Sequence, residues 1–81
     1  MRLDKYLKVS RLIKRRTVAN EACDTGRVSV NGRIAKASYD VKIGDVIEVR
    51  FGSRTLRVEV LSLSEHAVKA EAPAMYRELA I

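Results

Sequence analysis

The sequence predicts an α+β fold: a two-helix N-terminal hairpin packed on a small antiparallel β-sheet, with a short C-terminal helix. Three observations lead there. Apolar residues recur at helical spacing between residues 3 and 23 and then, after Gly26, at the two-residue spacing of strands. Asn31-Gly32 supplies the two positive-φ positions of a type I′ hairpin within the strand-like half. The 81 residues are 47% hydrophobic and 32% charged without low-complexity runs, the composition of a folded domain with a modest core. No repeat or linker interrupts the chain, so residues 1–81 read as one domain, with a motif core over 1–50 and C-terminal strands and a short helix over 51–81.

The first helix begins near Leu3, because Leu3, Tyr6 and Leu7 stack on one face. It breaks near Val9-Ser10, and Leu12 and Ile13 continue the apolar contacts. Arg2, Lys5 and Lys8 recur on a face away from that stripe, where Asp4 and Lys8 have the spacing of an i,i+4 pair. A second helix starts near Arg16-Thr17, buries Val18, Ala19, Ala22 and Cys23, and stops before Gly26, whose tolerance of positive φ suits a helix end.

Val28 and Val30 alternate with Arg27 and Ser29 in a first strand, which returns through Arg33-Ile34-Ala35. Ile43-Gly44-Asp45 is a second turn, leading into Val46 to Phe51, where Ile47, Val49 and Phe51 share a face. Gly52-Ser53 reverses the chain into a strand carrying Leu56, Val58 and Val60. Ala67 to Ala72 reads as a weak last strand before Pro73, and Met75 to Leu79 as a brief terminal helix.

Charge is distributed unevenly. Residues 1 to 36 carry ten Lys/Arg against three Asp/Glu, whereas residues 37 to 81 carry six against seven. The net +6 is therefore an N-terminal property. Such one-sidedness costs stability through self-repulsion and fits a surface that meets a polyanion. The competing reading is a solvated basic face with no partner.

Catalytic constellations are absent from the sequence. His66, the single histidine, has no Cys, Asp or second His at metal-ligand spacing and reads as a loop residue. Cys23, the single cysteine, lies on the apolar face of the second helix and reads as packing. Gly26, Gly32, Gly44 and Gly52 are too dispersed for a phosphate-binding loop. The expectation is a binding protein that is not an enzyme, with no metal and no cofactor. A single thiol, the absence of a signal-peptide core at Met1-Arg2-Leu3-Asp4 and the lack of a long apolar run point to the cytoplasm, with no membrane contact.

The basic residues concentrate where a phosphate site needs them. Lys14-Arg15-Arg16 stands directly ahead of the second helix, and Arg2 and Lys5 stand at the start of the first. Helix starts present free N–H groups to an anion, and the planar guanidinium grips phosphate bidentately, so Arg2 and Arg16 rank above the lysines. Tyr6 and Phe51 read as core, while Tyr39, beside Ser38 and Asp40, is open to a contact role.

Four segments together carry a resemblance: Arg2-Leu3-Asp4-Lys5-Tyr6-Leu7; Arg16 with Ala19; Gly26-Arg27-Val28-Ser29-Val30-Asn31-Gly32; and Val41-Lys42-Ile43-Gly44-Asp45-Val46-Ile47. In this order they resemble the S4-type RNA-binding domain, or αL motif, across roughly residues 1 to 50. One departure is Arg15, where the family usually has a Ser that caps the second helix. The stretch from Leu3 to Thr17 resembles the small ribosome-associated quality control members of that family, and more distantly a longer heat-shock relative.

The resemblance implies binding to a stalled large ribosomal subunit obstructed by peptidyl-tRNA, contact with rRNA and tRNA, and support of C-terminal alanine tailing by an RqcH-type factor, acting as a monomer. It implies RNA contact by the arginines matching Arg2 and Arg16; charge and position add Lys5, Arg11, Lys14 and Arg15. Three alternatives stay open: an assembly or rescue factor for bare rRNA, an RNA-binding subunit of a modifying enzyme, and a DNA-binding helix-turn-helix protein. The last is disfavoured because the basic residues crowd helix starts instead of studding one recognition helix.

Overall fold

The structure, a computed structural model, describes residues 1–64 and 72–80. Helices α1 (Leu3–Val9) and α2 (Arg16–Asp24) precede strands β1 (Val28–Val30), β2 (Arg33–Ile34), β3 (Val46–Phe51), β4 (Arg54–Val60) and β5 (Tyr76–Leu79), with a 3-10 turn over Ala72–Met75. The strands form one antiparallel sheet in the order β2-β1-β3-β4-β5. The predicted α+β architecture is thus observed.

Each helix ends for a local reason. At the end of α1, Arg11 takes the left-handed conformation (φ 63°), its N–H donating to the Lys8 carbonyl at 3.0 Å. This is uncommon for a residue with a Cβ and turns the chain sharply. Ile13 then folds back, buried, its N–H on the Leu7 carbonyl, so that Lys14, Arg15 and Arg16 are left outside. Helix α2 closes in a Schellman motif, with Gly26 at φ 73° donating to Cys23 and Arg27 donating to Ala22.

The sheet register follows from the alternation of its residues. Val28 opposes Val49 and Val30 opposes Ile47, while Ile47 and Val49 in turn oppose Val58 and Leu56. This apolar row packs with Leu3, Tyr6 and Leu7 of α1 and Ala19, Ala22 and Cys23 of α2 into one core. The opposite face carries Ser29, Glu48 and Arg57, and there Glu48 and Arg57 pair at 3.0 Å. Asn31 (φ 53°) and Gly32 (φ 84°) make the expected hairpin turn. Its amide group donates to buried Asp45 and accepts from the Val46 N–H, so the β1–β2 turn is tied to the start of β3.

Several expectations are corrected. Val18 is 48% exposed because Ala19, Ala22 and Cys23 alone occupy the inward stripe of α2, and Val18 lies one helical step, about 100°, away from Ala19. Phe51 is 43% exposed: it stands at the last position of β3, opposite Arg54 across the Gly52-Ser53 turn, outside the core cluster. The segment read as a terminal helix is strand β5, pairing Tyr76 with Val60 and Leu79 with Arg57. The open edge of β4 supplies backbone partners that a four-residue helix would lack. Met75 is buried, and its carbonyl accepts from the Tyr6 hydroxyl at 2.7 Å, joining α1 to the start of β5. The expected strand over Ala67 to Ala72 falls largely, and His66 wholly, outside the described residues.

Candidate nucleic-acid interface

The start of α1 is seated on the loop that follows β2. The Leu3 N–H donates to the Tyr39 carbonyl and the Asp4 N–H to that of Ala37, while Arg2 and Asp40 form an isolated bridge. The Lys5 N–H turns to the Asp4 carboxylate at 2.8 Å. These first donors of α1 are therefore occupied, which corrects the expectation that both helix starts offer free N–H groups to phosphate. At the start of α2 the N-cap is Arg15 in extended conformation, without a side-chain cap, and Arg16, Thr17 and Val18 are all exposed.

Asp4 organises what lies between the two starts. Its side chain is 3% exposed and its Oδ1 and Oδ2 accept from Arg2 Nε at 3.1 Å and Nη2 at 3.2 Å. Arg16 Nη2 approaches Oδ1 to 3.5 Å, and Asn20 Nδ2 donates to Oδ2 at 3.2 Å. The Asp4–Lys8 pair expected from spacing does not form; the carboxylate turns to the opposite helix instead. Burial pushes the Asp4 carboxyl up, but hydrogen bonds from Arg2, Asn20 and the Lys5 N–H, with the charge of Arg16, outweigh it and hold it down at about 2. The Arg2 guanidinium is stabilised in its charged form by the same hydrogen bond and charge.

Arg2 and Arg16, which sequence places at two separate helix starts, thus meet on one carboxylate, with their side chains 51% and 50% exposed. Arg11, Lys14 and Arg15 lie exposed on the connection between the helices and make no ion pair among the described residues. Lys5 is half-buried on α1. Asp4 and Asn20 were not anticipated as site residues. In the sequence, Asp4 stands in the Arg2-Leu3-Asp4 segment and Asn20 follows Arg16 by one helical turn, but nothing places that face of the second helix against Asp4. An open groove of about 590 Å³ continues from Arg2 along Asn20 and Asp24 to Lys36 and Ser38.

Two other residues have roles in the fold. The Tyr39 hydroxyl donates to Asp45 at 2.8 Å and its half-buried ring packs against the core; that hydrogen bond, then burial, raises its pKa. The Cys23 thiol is pushed up to about 11 by burial and by the charges of Asp4 and Asp24, so it stays protonated at neutral pH. No helix among the described residues is long and apolar enough to cross a membrane.

The sequence profile of the S4 domain matches residues 1–47, the segment that holds both helices, the hairpin and the Asp4 cluster. The chain belongs to the S4 domain family. It is 57% identical, over 94% of its length and 86% of the relative's, to a Streptococcus pneumoniae protein named RQC P-site tRNA stabilizing factor. It is 59% identical, over 94% of its length and 88% of the relative's, to the Bacillus subtilis protein of the same name. The trimeric structure of Vibrio cholerae Heat Shock Protein 15 superposes with a TM-score of 0.91 at 36% identity, over 99% of this chain and 82% of that one. In this S4 domain the arginines of the two helix starts are joined by a buried acid, a feature of geometry that motif spacing alone does not convey.

Proposed function

We propose that the protein is an RNA-binding factor of ribosome-associated quality control that stabilises the P-site tRNA on large subunits obstructed by peptidyl-tRNA. The whole of residues 1–81 serves as one S4-type unit in this reading. It acts in the cytoplasm as a monomer and catalyses no reaction. By contacting rRNA and tRNA it holds the peptidyl-tRNA while an RqcH-type factor extends the nascent chain with alanine.

The observation that carries the reading is the pair Arg2 and Arg16, half-exposed over buried Asp4 at the uncapped start of α2. A guanidinium so placed offers its remaining N–H groups to phosphate in a defined direction. Lys5, Arg11, Lys14 and Arg15 add charge around that pair and assist docking without fixing register. The identity of 57% and 59% to relatives named RQC P-site tRNA stabilizing factor supports the choice of RNA target over the DNA-binding and enzyme-subunit alternatives.

Cosedimentation of the full chain with purified large subunits tests it. Enrichment on subunits carrying peptidyl-tRNA over vacant subunits and assembly intermediates is the expected result. Equal binding to assembly intermediates would favour the rRNA assembly factor instead.

A further inference from the structure

We infer that Asp4, locked by Asn20, is the positioning residue of the RNA site: it holds the Arg2 and Arg16 guanidinia in a fixed relation so that both face one stretch of RNA backbone. The inference rests on the RNA-binding reading of Arg2 and Arg16. An acid on a face that meets a polyanion is at first sight unfavourable, since it subtracts attraction. Here it is 2% exposed, and among the described residues the hydrogen bonds and ion pairs of its carboxylate all go to donors of the site or its frame: Arg2 at 3.1 and 3.2 Å, Arg16 at 3.5 Å, Asn20 at 3.2 Å and the Lys5 N–H at 2.8 Å.

The contact pattern is selective. Asp4 takes the Nε/Nη2 edge of Arg2, leaving Nη1 and the outer N–H of Nη2 unengaged by it. Arg16 Nη2 stands 3.5 Å from Asp4 Oδ1, an ion-pair contact that acts on Asp4 through charge. Each arginine therefore keeps donors for phosphate while losing the rotamer freedom that a free arginine would surrender on binding. Asn20 comes from the same helix as Arg16 and bonds the same carboxylate as Arg2, so the lock spans both helices.

Charge and positioning predict opposite signs, which makes the inference decidable. Asp4→Asn removes a negative charge and raises the formal net charge from +6 to +7. A role through charge alone, or none, makes this variant bind obstructed large subunits as well as or better than the parent. Positioning makes it bind about tenfold weaker in spite of the added positive charge. Asn20→Ala changes no charge and is expected to weaken binding about threefold. In a double-mutant cycle, Arg2→Ala and Arg16→Ala are expected to cost less in the Asp4→Asn protein than in the parent.

The measurement is equilibrium cosedimentation with peptidyl-tRNA-obstructed large subunits at one salt concentration, on full-length chains whose melting curves remain cooperative. A folded Asp4→Asn protein that binds as tightly as the parent or tighter overturns the inference while leaving the RNA reading in place, provided Arg2→Ala and Arg16→Ala lose binding. If those two arginine variants bind normally, the RNA reading of the site fails and the inference with it. Should Asp4→Asn not fold, Asn20→Ala decides, since unchanged binding there overturns the lock.

Discussion

Arg2 and Arg16 each meet the Asp4 carboxylate and keep about half of their side chains in solvent, at 51% and 50% exposure. Truncating Arg16 to Ala removes little packing and one 3.5 Å contact, so stability is expected to change by only about 0.5 to 1 kcal/mol, whereas Arg2→Ala leaves the buried Asp4 carboxylate without two hydrogen bonds and is expected to cost about 1 to 3 kcal/mol; in both, melting is expected to stay cooperative while binding falls. Arg→Lys at these positions is expected to restore part of the affinity, because charge is kept while the forked geometry is lost. Arg54→Ala and Arg57→Ala serve as controls in the sheet, where Arg57 already pairs with Glu48. If the controls weakened ribosome association as much as Arg2→Ala and Arg16→Ala, the binding face would not be the helical pair. Asp4 carries a separate acid-stability prediction. Its carboxyl sits at about 2 in the fold, below its ordinary value, so it contributes stability that is complete above about pH 4 and is lost as pH falls toward about 2. That contribution is on the order of 2 kcal/mol at neutral pH. Denaturant titrations from pH 6 down to about 2 are expected to show a flatter acid limb in Asp4→Asn than in the parent, with Asp45, also held below its ordinary range, still supplying a slope of the same sign.

The elements are stabilised by a core that admits no charge. Val28 and Ile47 are fully buried on adjacent strands of the sheet. Replacing either by Asp buries an unpaired carboxylate, at a cost comparable with the roughly 5 to 8 kcal/mol total stability of a small domain. Both variants are expected to lose cooperative thermal melting. Phe51→Ser, at the exposed end of β3, is expected to stay within about 0.5 kcal/mol of the parent, and a loss of several kcal/mol there would mean that the ring packs after all. The contrast between Ile47 and Phe51 shows what was legible in the sequence. Alternation places both residues on one face of β3, but it does not say how far the helices extend over that face. In the same way, spacing and hydropathy mark Val18, Ala19, Ala22 and Cys23 alike as one apolar stripe, and only packing against the sheet decides that Val18, at its margin, stays in solvent. Helix ends at Gly26 and the turn at Asn31-Gly32 were legible because they depend on local backbone geometry. Strand β5 was not, since its formation depends on the open edge of β4, a partner more than ten residues away in the chain. At the site, the basic residues announced themselves by charge, whereas Asp4 and Asn20 acquire their roles only when α1 and α2 pack.

The molecule as a whole separates its charge from its support. Residues 1 to 36 hold ten of the sixteen Lys/Arg, and the structure exposes Arg2, Arg11, Lys14, Arg15 and Arg16 around the helical pair. On the sheet face, by contrast, Arg57 is matched with Glu48 and Arg77 with Glu59. The charge excess that attracts a polyanion therefore belongs to the first 36 residues, while residues 37 to 81 are nearly neutral. Five exposed guanidinium and ammonium groups could neutralise about five phosphates, which gives a log–log slope of affinity against salt of roughly −3 to −5 when the single-strand and duplex coefficients are taken as limits. Binding of the full chain to obstructed large subunits, measured from about 50 to 300 mM monovalent salt, is expected to follow that slope. Arg15→Ala is expected to reduce its magnitude by about one, while Arg57→Ala leaves it unchanged because that charge is already matched by Glu48. A nearly flat dependence would remove RNA phosphate as the main contact and make docking to ribosomal protein the better account of the same basic face.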